Sequence, residues 1–240
     1  MRKLLTAILA VVALSATAKV HIEIDSDNLL LLKLDGKSIV TSPKEGLWSV
    51  ATGWSEDWMC DWHHSSPERI EQIGEWSVVH GKIALAEGEL HLRDSYREVA
   101  EGLVQCVRRY EWHGDSNLEH TTLSVKFDVA GEALMPCLPG ILYYGNKNGA
   151  KVNPQIIPVY NGTAGEFAIF EEHRYPMPFA MLESAAGGYA VAIHTVPSPV
   201  RGAVLSDQWW SMGVEAYDGY SRMVLYSGPI GYNGQHSVAK

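Results

Sequence analysis

Cysteine is scarce in this chain: Cys60, Cys106 and Cys137 are the three among 240 residues. Three thiols allow at most one internal disulfide, so the fold cannot rest on a disulfide framework. Their spacings of 46 and 31 residues match no zinc-ribbon pattern. Clusters of Lys and Arg are also missing, and the formal charge is −9. Neutralising nucleic-acid phosphates or an anionic membrane surface takes such clusters, so the composition argues against both partners. No run approaches the roughly 20 apolar residues of a membrane-spanning helix. A G-x-S-x-G nucleophile motif and a Gly-rich phosphate loop are both absent. So is any long amphipathic helix; the best helical stretch, Ser55 to Trp62, is short.

What is present begins at the N-terminus. "MRKLLTAILAVVALSATA" has a basic start at Arg2 and Lys3, an uncharged, mostly apolar run from Leu4 to Leu14, and small residues at Ala16 and Ala18. That order is the pattern of a secretory signal peptide, with cleavage expected after Ala18. Loss of residues 1–18 would leave 222 residues at a formal charge of −11. The expected location is therefore outside the cytoplasm: periplasmic, cell-surface or secreted. No cofactor or metal is expected, and residues 19–240 read as one domain with no flexible linker inside it.

Strand grammar dominates that domain. In "GLVQCVRRYEW" Val104, Cys106, Arg108, Tyr110 and Trp112 share one face, and "HGDSN" supplies turn chemistry after it. "TTLSVKFDVAG" then sets Leu123, Val125, Phe127 and Val129 inward, with Thr122, Ser124, Lys126 and Asp128 outward to solvent. Two such runs across a short polar loop predict an antiparallel hairpin. "KVHIEID", "LLLLKLDG", "KIALAEGELHLRD", "GEFAIFEE", "GYAVAIHT" and "SRMVLYSG" follow the same rule. The pattern predicts an all-β fold, a large antiparallel β-sandwich with long loops and little helix.

Several stretches could carry chemistry. Trp48, Trp54, Trp58 and Trp62 crowd "LWSVATGWSEDWMCDW". The spacing of the last three fits one buried helical face; exposed, the same indoles would stack on sugar rings. "CDWHH" offers Cys60, His63 and His64 without a second ligand pair, and "DSDN" at residues 25–28 reads as a turn. "LPGILYYGNKNGAKVNP" puts Tyr143, Tyr144 and Asn146 beside turn signals, groups suited to a polyhydroxyl ligand. "EEHRYPMPFAMLE" sets Glu171, Glu172, His173, Arg174 and Tyr175 in a row. Adjacent residues on a strand point to opposite faces, so Glu172, on the side of Arg174, is the carboxylate expected to pair with it. "DQWW" adds Asp207, Trp209 and Trp210.

In order, "LHLRDSY", "VQCVRRYEWHGDSNLEHTTLSVKF", "PCLPGILYYGN", "EEHRYPMPFAMLE", a Gly-Tyr strand and "SGPIGYNG" resemble a galactose-mutarotase-like β-super-sandwich. In particular the chain is similar to the N-terminal domain that precedes the (α/α)6 barrel in secreted six-hairpin glycosidases. The resemblance spans most of residues 20–235. It implies a saccharide ligand, an accessory domain that contributes loops to the substrate cleft, and a C-terminal catalytic domain holding the principal carboxylates. True aldose epimerases carry a His-x-Tyr/Phe/Trp-x-Asn motif and a late Glu, which His173-Arg174-Tyr175 and His194 do not match. The substrate-binding residues expected are Tyr143, Tyr144, Asn146, Glu172, His173, Arg174 and Trp209. Two alternatives stand beside this reading: a free-standing glycan-binding protein, and a small sugar-active, epimerase-like enzyme using Glu172 and His173 as acid and base.

Overall fold

Alternation of apolar and polar residues becomes strand almost wherever it occurs. The structure, a computed structural model, describes residues 4–13, 20–55, 58–131, 134–142, 160, 162–171, 174–195 and 210–227. Its strands, in chain order, are β1 (Leu4–Ala13), β2 (Val20–Ile24), β3 (Leu30–Leu34), β4 (Lys37–Thr41), β5 (Trp48–Ser55) and β6 (Trp58–Ser65). They continue with β7 (Arg69–Ile73), β8 (Trp76–Leu85), β9 (Gly88–Ala100), β10 (Leu103–Gly114), β11 (Thr122–Ala130) and β12 (Met135–Cys137). The last are β13 (Phe167–Glu171), β14 (Phe179–Ser184), β15 (Tyr189–Thr195), β16 (Trp210–Tyr217) and β17 (Tyr220–Ser227). The fold is all-β, and no α-helix occurs among the described residues.

The strands make two large antiparallel sheets. The first runs β12-β14-β15-β1-β10-β9-β8-β7. The second runs β13-β16-β17-β11-β4-β3-β2, and β11 also pairs with β5, which pairs with β6. One edge of β11 is thus divided: Thr122 and Leu123 face β5, while Asp128 and Val129 face β4. The core fills from both sheets. Val104, Cys106, Tyr110 and Trp112 of the first meet Leu123, Val125, Phe127 and Val129 of the second in one apolar cluster.

Three expectations need correction. Residues 103–129 do not form a hairpin, since β10 pairs with β9 and β1 while β11 pairs with β17, β4 and β5. Both strands carry one predominantly apolar face, broken on β10 by Arg108, and burying those faces against each other sets the strands in opposite layers. The described residues of the Ser55 to Trp62 stretch, 55 and 58–62, are not helical but belong to the antiparallel pair β5–β6, with Trp48 opposite Ser65 and Trp54 opposite Met59. Eight residues are too few for a helix to outweigh an available strand edge, and aromatic residues suit the pleat. The outward residues of β11 are not solvated: Thr122, Ser124, Lys126 and Asp128 are all buried.

Turn chemistry was more legible. Asp35 and Gly36 both take positive φ (50° and 81°) between β3 and β4, as a type I′ hairpin requires. In "DSDN" the Asp25 carboxylate accepts hydrogen bonds from the Asp27 and Leu29 amides, at 2.9 Å each, and closes a turn. All three cysteines are free; Cys106 is fully buried, and Cys60 and Cys137 are half-buried.

Inside the sandwich lies one buried ion pair. Arg108, on the apolar face of β10, meets Asp94 of β9 at 2.7 Å, with neither side chain exposed. Trp48 Nε1 and the Tyr96 hydroxyl donate to the same carboxylate, at 3.1 and 2.5 Å. Arg108 Nη1 donates to the Ser124 carbonyl of β11 at 2.8 Å, so the pair fastens one sheet to the other. Its hydrogen bonds are satisfied on every side, as a buried charge pair requires. Gly81 of β8 leaves room for Trp48, because a Cβ there would stand 2.3 Å from the indole.

Candidate functional site

The described residues gather polar and aromatic side chains most densely on the face of the second sheet that points away from the core. Register fixes the grid. Ser211, Tyr226 and Ser124 stand in one row, Gly213, Val224 and Lys126 in the next, and Glu215, Arg222 and Asp128 in the third. Tyr217 and Tyr220 close it at the hairpin end, their rings parallel with centroids 4.7 Å apart. Because side chains alternate across a strand, every second residue of β11, β16 and β17 reaches this face.

Hydrogen bonds organise the charges. Arg222 holds Asp128 with two contacts, Nε–Oδ1 at 2.6 Å and Nη2–Oδ2 at 3.1 Å. It also holds Glu45, from the β4–β5 connection, through Nη1 and, at 3.2 Å, through Nη2. Burial, the largest influence, works to raise the Glu45 carboxyl, but the Arg222 hydrogen bonds, a backbone hydrogen bond and the charges of Arg222 and Lys126 together leave it below its usual range. Burial raises the Asp128 carboxyl despite the same guanidinium. Glu215 accepts hydrogen bonds from Tyr217 at 3.0 Å and Tyr226 at 3.5 Å.

Lys126 is different. Its amine lies 3.7 Å from the centre of the Trp62 ring and 5.6 Å from that of Tyr226, and Trp62 packs on Tyr226 at 5.8 Å. No carboxylate among the described residues lies within ion-pair distance of it. Burial pushes its pKa down to about 8, against the pull of Glu215. The two ring faces favour the ammonium, since their quadrupoles are negative above the plane. His64 lies next to Trp62, with ring centroids 6.4 Å apart, and hydrogen-bonds Ser49 at 2.9 Å. Its pKa is lowered, first by burial and then by the Lys126 charge.

An ammonium, a guanidinium held by two carboxylates, a third carboxylate and four aromatic rings can together grip a polar ligand that has apolar ring faces. Trp62 is half-buried here, whereas Trp48 is wholly buried and Trp54 is largely exposed. The tryptophan cluster therefore divides between core, surface and site.

Of the residues expected from the sequence to bind substrate, Tyr143, Tyr144, Asn146, Glu172, His173 and Trp209 lie outside the described residues. Arg174 lies within them, and its Nε meets Glu171 at 3.3 Å; Glu171 rather than Glu172 is thus its described partner. Arg174 lies outside any described strand, so strand alternation does not set which carboxylate it reaches. Tyr175 is buried and donates its hydroxyl to the Met212 carbonyl. Cys60, His63 and His64 do not converge, because the two imidazoles engage Thr52 and Ser49. Among the described residues no cluster of three or more metal-ligating side chains occurs.

Sequence reasoning missed Glu45, Arg222, Glu215 and Tyr226 and misread the surroundings of Lys126. The available signal was the alternating charges Lys126 and Asp128 in "SVKFDV" and the lone Arg222 in the otherwise uncharged "SRMVLY". Compared with known proteins, the chain matches no protein-family model and no curated protein.

Proposed function

We propose that this chain is the N-terminal, carbohydrate-associated sandwich domain of an exported glycoside hydrolase, and that it contributes a saccharide-binding face and loops to the substrate cleft. The observation that carries the reading is the outward face of β11, β16 and β17, where Trp62 and Tyr226 flank the Lys126 amine beside Glu215 and Arg222. Sugars present C–H faces to aromatic rings and hydroxyls to charged groups, and both kinds of partner stand together here. The leader-like order of residues 1–18 supports export, and the all-β architecture of antiparallel sheets is compatible with a sandwich domain.

Tryptophan fluorescence is the direct test, because Trp62 sits in the face. Titration with a panel of neutral and acidic saccharides is expected to shift emission saturably, and Trp62→Ala is expected to weaken binding roughly tenfold or more. A panel with no saturable response in the wild-type chain would refute the proposal.

A further inference from the structure

Resting on that saccharide reading, we infer that the face is built for an acidic sugar, with the carboxylate of a uronate as the missing partner of the Lys126 amine. Three observations lead there. First, Lys126 is 7% exposed, and among the described residues it meets aromatic rings but no anion. A buried ammonium with no carboxylate in direct contact is costly, and a ligand carboxylate placed on it lowers that cost.

Second, the neighbouring anions are already engaged. Glu45 and Asp128 share Arg222, and Glu215 takes the hydroxyls of Tyr217 and Tyr226. Their described hydrogen bonds go to Arg222 and to the two tyrosine hydroxyls, not to the lysine. Third, the Trp62 ring that covers the amine is itself only half-buried. The ligand oxygen then approaches the amine beside that ring. Trp62 and Tyr226 then supply the apolar walls for the sugar, and the carboxylate selects acids over neutral hexoses.

The nearby carboxylates sharpen the requirement. The five charged groups, Lys126, Arg222, Glu45, Asp128 and Glu215, sum to −1, so a diffuse anion gains nothing from the face as a whole. Only a carboxylate placed directly on the Lys126 amine gains, which makes the preference geometric and distinguishes it from general anion binding.

The test uses oligogalacturonate and oligoglucuronate, each compared with its methyl ester and its neutral hexose counterpart, by calorimetry on the whole chain. The free acid is expected to bind at least tenfold more tightly than its ester. Lys126→Met is expected to abolish that preference while leaving ester binding in place, and Lys126→Arg to keep it. Circular dichroism confirms that each variant is folded. Equal binding of acid, ester and neutral sugar would overturn this inference and leave the saccharide reading intact. No binding by any probe would overturn both.

Discussion

Trp62 of β6 lies across the amine of Lys126 on β11, with the nitrogen 3.7 Å from the ring centre. The two strands are not paired with each other, so this contact closes the notch where β5 and β4 divide the edge of β11. It also keeps an ammonium in a place that favours a neutral amine.

The pH dependence of stability follows. The folded pKa of Lys126 is lowered to about 8 from an ordinary 10.5. Between those values the unfolded chain holds a proton that the folded chain has released, so stability rises with pH across that window. The penalty is fully present below pH 8. Lys126→Met should therefore be the more stable protein at pH 7, by at most about 3 kcal/mol. Its advantage should shrink as pH climbs to 10.5, as urea denaturation of both proteins at a series of pH values would reveal. A constant difference between them would show that the amine is not desolvated.

Removing one member of the internal ion pair should be far worse than removing both. Arg108→Met strands the Asp94 carboxylate in the core and should cost about 3–5 kcal/mol. Adding Asp94→Asn should recover most of that loss. Denaturant midpoints of the two single variants and the double variant complete the cycle.

Gly213 should tolerate no side chain. A Cβ at this position would stand 1.9 Å from the Ala168 carbonyl of β13, a backbone atom that cannot swing aside. Gly213→Ala should push β13 away from β16, costing about 1–3 kcal/mol. Amide exchange should quicken at Phe167–Glu171 before it does elsewhere in the sheet.

The N-terminal segment gives a sharper test. Leu4–Ala10 pairs with Leu103–Arg109, and Ala7–Ala13 pairs with Tyr189–Thr195, so β1 is an inner strand of the first sheet. A chain starting at Lys19 lacks it and leaves two unpaired edges. Hydrogen exchange should be faster at 103–109 and 189–195 in that shorter chain, and size-exclusion chromatography should show self-association through the open edges. Equal protection in both chains would show that another segment takes the place of β1.

The strands were legible because period-two alternation is a local signal, and the core face of β11 is the one the sequence predicts. Their partners were not, since alternation gives a strand a buried face without saying which edge it joins. Lys126 and Asp128 illustrate the same limit. Both were correctly assigned to the side away from the core, yet Trp62 and Glu45 cover that side from other parts of the chain. Arg222 was invisible as a site residue because its partners, Asp128 and Glu45, are 94 and 177 positions away. Arg108 shares a face with Val104, Cys106, Tyr110 and Trp112, and its buried charge becomes intelligible only once Asp94 stands opposite it on β9.

The divided edge of β11 has a bearing on how the chain assembles. Strands β4 and β5 precede β11 in the chain, whereas β17, on its other side, comes about ninety positions later. As the polypeptide emerges, one flank of β11 can zip early while the other waits, unpaired, for the last described strand. Closure of the second sheet is thus a late, long-loop event, slow by its topology and prone to capture by other chains in the interval. The face that carries Lys126, Arg222 and Glu215 comes into existence only at that final step.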